Sequence, residues 1–334
     1  MQKNEAILIT GATGLVGSHL CQLLISQGYT NLYATRRSQS DLSLIDAKTE
    51  KQLQWRNMEL DDYFSVEAAL EGINTVIHCA ALVSFQPADR HQLLQLNRVG
   101  TRHVANAALH QRVKRLVYMS SVAALGRNTN GAPIRETSKW EDGADITNYA
   151  RSKFLSELEV WRAQSEGLSV AVLYPSIILG VGNWQRGSAK MVSFANSAPT
   201  YYPAGQTGIV DVRDVAKAVE LTLERNINGD RFLLNGSNIS YQDLLTRLCK
   251  ALGKTPPQKL LSRRFAFILT FLDKWSALLR GRRPLLSKES VRNAYHHFNY
   301  DNQKSVTVLG LEYTPLDDTV KWIATAFLDQ QAKI

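Results

Sequence analysis

Thr10-Gly11-Ala12-Thr13-Gly14-Leu15-Val16-Gly17 follows the apolar run Ala6–Ile9 and leads into a helical stretch from Ser18 to Gln27. Three glycines at that spacing, between a strand and a helix, suit the phosphates of a dinucleotide. Gly11 permits the tight turn, Gly14 lets the main chain approach a pyrophosphate, and Gly17 lets the helix pack close to the strand. The free N–H groups and positive dipole end of the helix then face the phosphates. A second constellation is Tyr149-Ala150-Arg151-Ser152-Lys153, a phenol and an ammonium four residues apart. On a helix they share one face and can act together. Asn148 is placed to cap that helix. Upstream, Met119-Ser120-Ser121 closes an apolar run and sets a hydroxyl at a strand end.

The elements that must position these groups are legible as a rhythm. Strand-like runs occur at Ala6–Thr10, Asn31–Thr35, Leu53–Met58, Thr75–Cys79, Leu116–Met119, Val170–Tyr174 and Arg231–Leu234, with helical patterns between them. Several are continuous apolar runs, as in parallel strands covered on both faces. Such alternation predicts an α/β fold with a Rossmann-type doubly wound parallel sheet. The rhythm breaks twice. Ser176 to Gly208 is rich in Gly, Pro, Ser and Asn, and beyond Ser240 the pattern turns helical with loops. Between the breaks, Asp211–Glu224 reads as a regular amphipathic helix. The expected division is a cofactor lobe of residues 1–175 plus 209–236, and a smaller, mainly helical substrate lobe of 176–208 plus 237–334. The second would cover the strand C-termini, where open α/β sheets bind ligands.

Charge and cysteine content narrow the setting. Of the formal net charge of +9, the stretch Lys254–Arg292 carries +8, from ten Lys/Arg against Asp273 and Glu289. The excess is therefore local, able to attract an anion or an anionic surface. No recognition motif accompanies it, so no nucleic-acid partner is expected. Within it, Phe265-Ala-Phe-Ile-Leu-Thr-Phe-Leu272 runs on through Trp275 to Leu279, flanked by Arg263-Arg264 and Arg280-Gly-Arg282-Arg283. The first reading is a substrate-lobe helix whose apolar side covers the active site. The second is an interfacial helix over 263–283, with basic flanks on anionic headgroups. Cys21, Cys79 and Cys249 are odd in number and scattered, as reduced thiols are. With no signal-peptide core and no membrane-spanning run, a cytoplasmic protein is expected. Whether it acts as a homodimer is left open.

With these motifs in order, the chain resembles the extended short-chain dehydrogenase/reductase family, also called the NAD-dependent epimerase/dehydratase family. The pieces that carry the resemblance are Thr10–Gly17, Val76-Ile77-His78-Cys79-Ala80-Ala81, Asn97-Arg98-Val99-Gly100-Thr101, Ser120-Ser121, Tyr149–Lys153, Tyr174-Pro175-Ser176 and Asp211-Val212-Arg213-Asp214-Val215-Ala216. It weakens after about residue 240. The resemblance implies that Tyr149 is the general acid that protonates a carbonyl oxygen as hydride arrives at carbon, or the base in reverse. A free tyrosine has a pKa near ~10, and each unit of phenolate stabilisation costs about 1.4 kcal/mol. The Lys153 ammonium and an oxidised nicotinamide are the implied sources, and Lys153 would also hold the nicotinamide ribose. Ser121, preferred over Ser120 for its spacing to Gly126, would orient the substrate carbonyl. Asn97 would support Lys153 directly or through water. Gly11, Thr13, Gly14, Leu15, Val16, Gly17, Ala80, Ala81, Tyr174, Pro175 and Ser176 would surround the cofactor, with Glu59 and Leu60 at the adenine.

The end of the second strand bears on which nucleotide is used. An NAD enzyme places Asp or Glu there for the ribose hydroxyls. This chain has Thr35-Arg36-Arg37-Ser38, and paired guanidiniums suit the 2′-phosphate of NADP(H), with NAD(H) as the second choice. The plainer reading is a solvated basic turn. His78 in its strand reads as a satisfied core histidine, and His296-His297 makes a poor metal site, so no metal is expected. Ser84 and Phe85 are candidates to line the pocket of a small carbonyl or alcohol substrate, apolar ones included. Three function classes follow. The first is an NADP(H)-dependent reductase of the dihydroflavonol-reductase-like and hydroxysteroid-dehydrogenase-like branch, to which Gly281-Arg282-Arg283-Pro284-Leu285-Leu286 adds support. The second is an NAD-dependent nucleotide-sugar epimerase. The third is a non-catalytic NADP-sensing protein, whose relatives typically lose the Tyr or the Lys that this chain keeps.

Overall fold

Ile7–Thr10 (β1), Leu32–Arg36 (β2), Gln54–Asn57 (β3), Thr75–His78 (β4), Arg115–Met119 (β5), Ser169–Pro175 (β6) and Asp230–Leu234 (β7) are the strands of one sheet in a computed structural model. The structure describes residues 2–127, 132–143 and 145–332. The sheet order is β7-β6-β5-β4-β1-β2-β3, and every neighbouring pair is parallel. Alternate residues of the same strands supply two cores. Leu8, Val76, Leu116 and Val172 face helices carrying Val66, Val104 and Val160. Ile7, Ile77, Val117 and Leu173 face Leu20, Leu24, Val215 and Val219 on the other side. Helices thus cover both faces, which is why the strands read as unbroken apolar runs. The order reverses beside β1, so the crevice above β1 and β4 is the topological switch point where such sheets bind ligands.

The second part of the chain is less regular than its helical pattern suggests. Ile177–Leu179, Gln206–Asp211 and Ser237–Ser240 form a separate three-stranded sheet. Asp211 is therefore a strand end and the N-cap of the helix Val212–Glu224, its carboxylate accepting from the Arg213 N–H. A third apolar cluster joins this sheet to the helices Tyr241–Ala251 and Leu316–Gln331.

The helix Arg263–Leu279 corrects the first reading of its segment. Its buried residues are the small Ala266, Thr270 and Ala277, with Phe267 and Leu269 half-buried, while Phe265, Ile268, Phe271, Leu272, Trp275, Leu278 and Leu279 are exposed. The apolar side faces away from the protein and does not cover the active site. No helix among the described residues is long and apolar enough to cross a membrane.

Candidate active site

The glycine turn forms at the end of β1. Gly11 has φ +67°, and a Cβ there would lie 2.8 Å from the Cα and N of Ala80 in the loop after β4. A Cβ on Gly17 would lie 2.2 Å from the Gly11 carbonyl oxygen and 2.7 Å from the Ala12 Cα. Both obstacles are main chain and cannot swing aside. Gly17→Ala is therefore expected to cost about 1–3 kcal/mol by overpacking. Thermal unfolding would read that loss, and nucleotide binding should weaken with it. Gly14 differs: it is exposed, and among the described residues a Cβ there would meet only the Gly11 oxygen at 3.3 Å. It is also the N-cap of Leu15–Ser26 and offers no capping side chain, so the first N–H groups of that helix are left for another acceptor. Thr13, Leu15 and Val16 are half-buried around this opening. The turn thus fits a nucleotide's phosphates.

At the far side of the crevice, the helix Asn148–Ser165 carries the phenol and the ammonium. Its N-cap is Thr147, whose hydroxyl accepts from the Ala150 N–H; Asn148 is already helical and is not the cap. Asn148 is engaged elsewhere, because Glu289 accepts from its side-chain amide at 2.7 Å and its main-chain N–H at 3.1 Å. Tyr149, next along, packs edge-on against Phe85, with ring centroids 5.8 Å apart. Burial raises the phenol's pKa, and an interaction with the Ser121 hydroxyl opposes the rise. Ser121 also accepts from the Ala123 N–H at 3.1 Å, so it caps a short turn while facing the phenol. Ser120 points the other way and donates to Glu157 at 3.0 Å, which favours Ser121 as the site hydroxyl.

Lys153, only 2 % exposed, lies one turn beyond Tyr149 and donates to the Met119 carbonyl at 2.7 Å, with its ammonium 4.4 Å from the Tyr118 ring centroid. Burial pulls its pKa down to about 7, against the opposing pull of Glu157. The hydroxyl of Ser121 favours the phenolate. Asn97 does not bond Lys153. Its amide accepts from the Leu82 N–H at 2.7 Å and donates to the Leu82 carbonyl and to Ser152, both at 2.9 Å. Ser152 in turn donates to the Tyr149 carbonyl at 2.8 Å, so Asn97 ties the loop after β4 to the helix bearing the phenol. Asn97 sits in a π-helical turn, Leu94–Val99, a distortion frequent at functional sites.

Other sequence candidates divide. Arg36 is half-buried at the end of β2 with its guanidinium over Trp55, and Arg37 is exposed. Neither forms an ion pair with a carboxylate among the described residues. Glu59 is exposed just past β3, and Leu60 packs beside Gly100. Tyr174 is fully buried and donates to Glu157 at 2.5 Å, so only its main chain can meet a cofactor. Beyond Pro175, Ser176 is buried, its hydroxyl without a partner among the described residues. Ser84 donates to Asp89 at 2.7 Å and serves the loop rather than the opening. His78 is a core histidine, between Thr10 at 2.7 Å and Thr101 at 3.2 Å, and burial pulls its pKa down to about 3.

Glu157 and Glu289 escaped the sequence reading. Glu157 continues the four-residue spacing of Tyr149 and Lys153. It gathers Ser120, Tyr174 and the Trp161 indole, at 2.9 Å for the last, and its charge favours the ammonium of Lys153. Its spacing was the available signal. Glu289 had none.

The glycine turn after β1, the Ser121 hydroxyl after β5 and the Tyr149 and Lys153 side chains that approach it thus gather at the carboxyl edge of one sheet. The chain belongs to the NAD dependent epimerase/dehydratase family, whose model matches residues 7–234. It is 30% identical over 325 residues to sterol demethylase protein B of Methylococcus capsulatus, covering 94% of this chain and 97% of that one. It is 28% identical over 331 residues to a putative dihydroflavonol 4-reductase of Synechocystis, covering 95% and 94%. The solved structure of gox2253 superposes with a TM-score of 0.83 at 29% identity, covering 99% of this chain and all of that one.

Proposed function

We propose that the protein is an NADP(H)-dependent oxidoreductase that reduces a ketone or aldehyde to an alcohol, or runs the reverse. The observation that carries this reading is the Arg36–Arg37 pair, set without carboxylate partners among the described residues where an NAD enzyme holds an acid. A guanidinium fork suits a phosphate, and its stacking on Trp55 holds it in place. The name of the Synechocystis relative supports reduction. The Methylococcus relative's name, with Phe85 against the phenol, supports an apolar substrate. The lobe division of 1–175 plus 209–236 against the remainder stays part of this proposal, although residue 209 falls inside a strand. The free thiols of Cys21, Cys79 and Cys249 favour the cytoplasm.

The chemistry that a nicotinamide held here would supply is hydride for a carbonyl carbon. The chain's own residues do the rest. Tyr149, kept neutral by burial, donates its proton to the carbonyl oxygen, which Ser121 holds by a hydrogen bond. Lys153 would hold the nicotinamide ribose from its seat on the Met119 carbonyl. Asn97, through Ser152, keeps the Tyr149 turn in register with the substrate loop.

Arg36→Asp tests the reading. Loss of a charge-assisted contact is worth roughly 10–100-fold, so NADPH affinity should fall by that factor while NADH affinity holds or improves. Cofactor titration by fluorescence measures both. Equal affinity of the native protein for the two nucleotides, or an unchanged ratio in the variant, would refute the NADP assignment. Co-purification of tightly held NAD would favour the epimerase reading.

A further inference from the structure

We infer that the helix Arg263–Leu279 is a docking surface for an anionic lipid bilayer. In a helix that only completes a globular core, the large apolar residues face inward. Here most of them face outward. Ala266, Thr270 and Ala277 are buried against the protein, Phe267 and Leu269 are half-buried, and the outer face carries Phe265, Ile268, Phe271, Leu272, Trp275, Leu278 and Leu279. These lie three and four residues apart, on one side of the helix. Phe271 is 60 % exposed, Trp275 54 %, Leu278 74 % and Leu279 82 %. The stripe continues into the following turn, where Leu285 is 73 % exposed.

Charge selects the occupant. Arg263 and Arg264 stand exposed at one end of the stripe, Lys274 beside it, and Arg280 at the other end, where Arg283 is also exposed though paired with Asp89. The two acids of the region are taken up internally. Asp273 accepts from Arg282 and from the Leu285 and Leu286 N–H groups, and Glu289 accepts from Asn148. An apolar strip bordered by basic residues matches the boundary between acyl chains and anionic headgroups, and its aromatic rings suit that depth. A second copy of the chain would bring the same positive charge to the contact and is disfavoured.

The surface adjoins the mouth of the site. Arg283 pairs with Asp89 at 3.3 Å, and Gln86 donates to the Pro284 carbonyl at 2.8 Å, on the loop that carries Phe85. A bilayer held against this helix therefore lies beside the loop that packs on Tyr149.

Sedimentation of the full-length protein with phosphatidylcholine vesicles, with and without phosphatidylserine, tests the proposal at low and high salt. Binding is expected only with the anionic lipid and should weaken with salt. Phe271→Ser combined with Trp275→Ser should reduce it about tenfold or more, and so should Arg264→Glu combined with Arg280→Glu. All four side chains are exposed, and unchanged NADPH binding verifies the fold. Three results would overturn it: no binding to anionic vesicles, binding indifferent to the apolar substitutions, or a concentration-dependent dimer that the apolar substitutions dissolve in a protein that ignores vesicles.

Discussion

Tyr149→Phe is expected to lower carbonyl reduction about 10²–10⁴-fold, the range that a positioned proton donor contributes. The phenylalanine ring keeps the edge-on packing against Phe85, so the loop after β4 should stay in place. What is lost is the proton beside Ser121. NADPH affinity should stay within a factor of about two, because the phenol is not among the groups that hold phosphate or adenine. The loss should thus appear in kcat. Ser121→Ala is the companion variant, with a smaller loss, because it removes an orienting hydrogen bond together with the cap on the Ala123 N–H. Full activity in Tyr149→Phe would end the mechanism, whichever cofactor is used.

Lys153→Met should move stability and activity in opposite directions. The folded protein holds this amine with a pKa of about 7, against 10.5 for a free lysine. Between those values the unfolded chain binds a proton that the folded chain does not, so stability rises with pH across that window. Below pH 7 the cost of burying the ammonium is fully expressed. At roughly 1.4 kcal/mol per unit, this cost amounts to several kcal/mol. Methionine has a similar unbranched stem and no charge to bury. The variant forfeits the bond to the Met119 carbonyl, worth about 1 kcal/mol, and still gains overall near neutrality. Thermal unfolding should show a higher Tm for the variant at pH 7, with the gap closing towards pH 10.5. Turnover should fall. A variant less stable than the native protein by the same amount at every pH would mean that Lys153 is held comfortably charged.

The strands of the main sheet were legible because parallel strands buried on both faces must be continuously apolar, and β1, β4, β5 and β6 are. The glycine turn was legible for a different reason: its obstacles are main-chain atoms of its own turn and of the loop after β4, so spacing alone carries the constraint. Partners drawn from distant elements were not. Thr147 and Asn148 are both good caps, and the choice falls to Thr147 while Glu289, on a later helix, takes up the Asn148 amide. Asn97 bonds Ser152 and makes no direct bond to Lys153, because the π-helical turn places it beside the Leu82 loop. Hydrophobic periodicity finds the face of Arg263–Leu279 and is silent on which side the protein lies. The small size of Ala266 and Ala277, which permits close approach, was the overlooked sign.

The central claim is net reduction by an exchangeable cofactor, and the most direct measurement follows NADPH consumption alongside product formation over a panel of apolar ketones and aldehydes. The predicted result is one NADPH oxidised for each alcohol formed, with no nucleotide retained on the protein afterwards. Interconversion of a nucleotide sugar with no net change in NADPH, by a protein that keeps its NAD through purification, would contradict it.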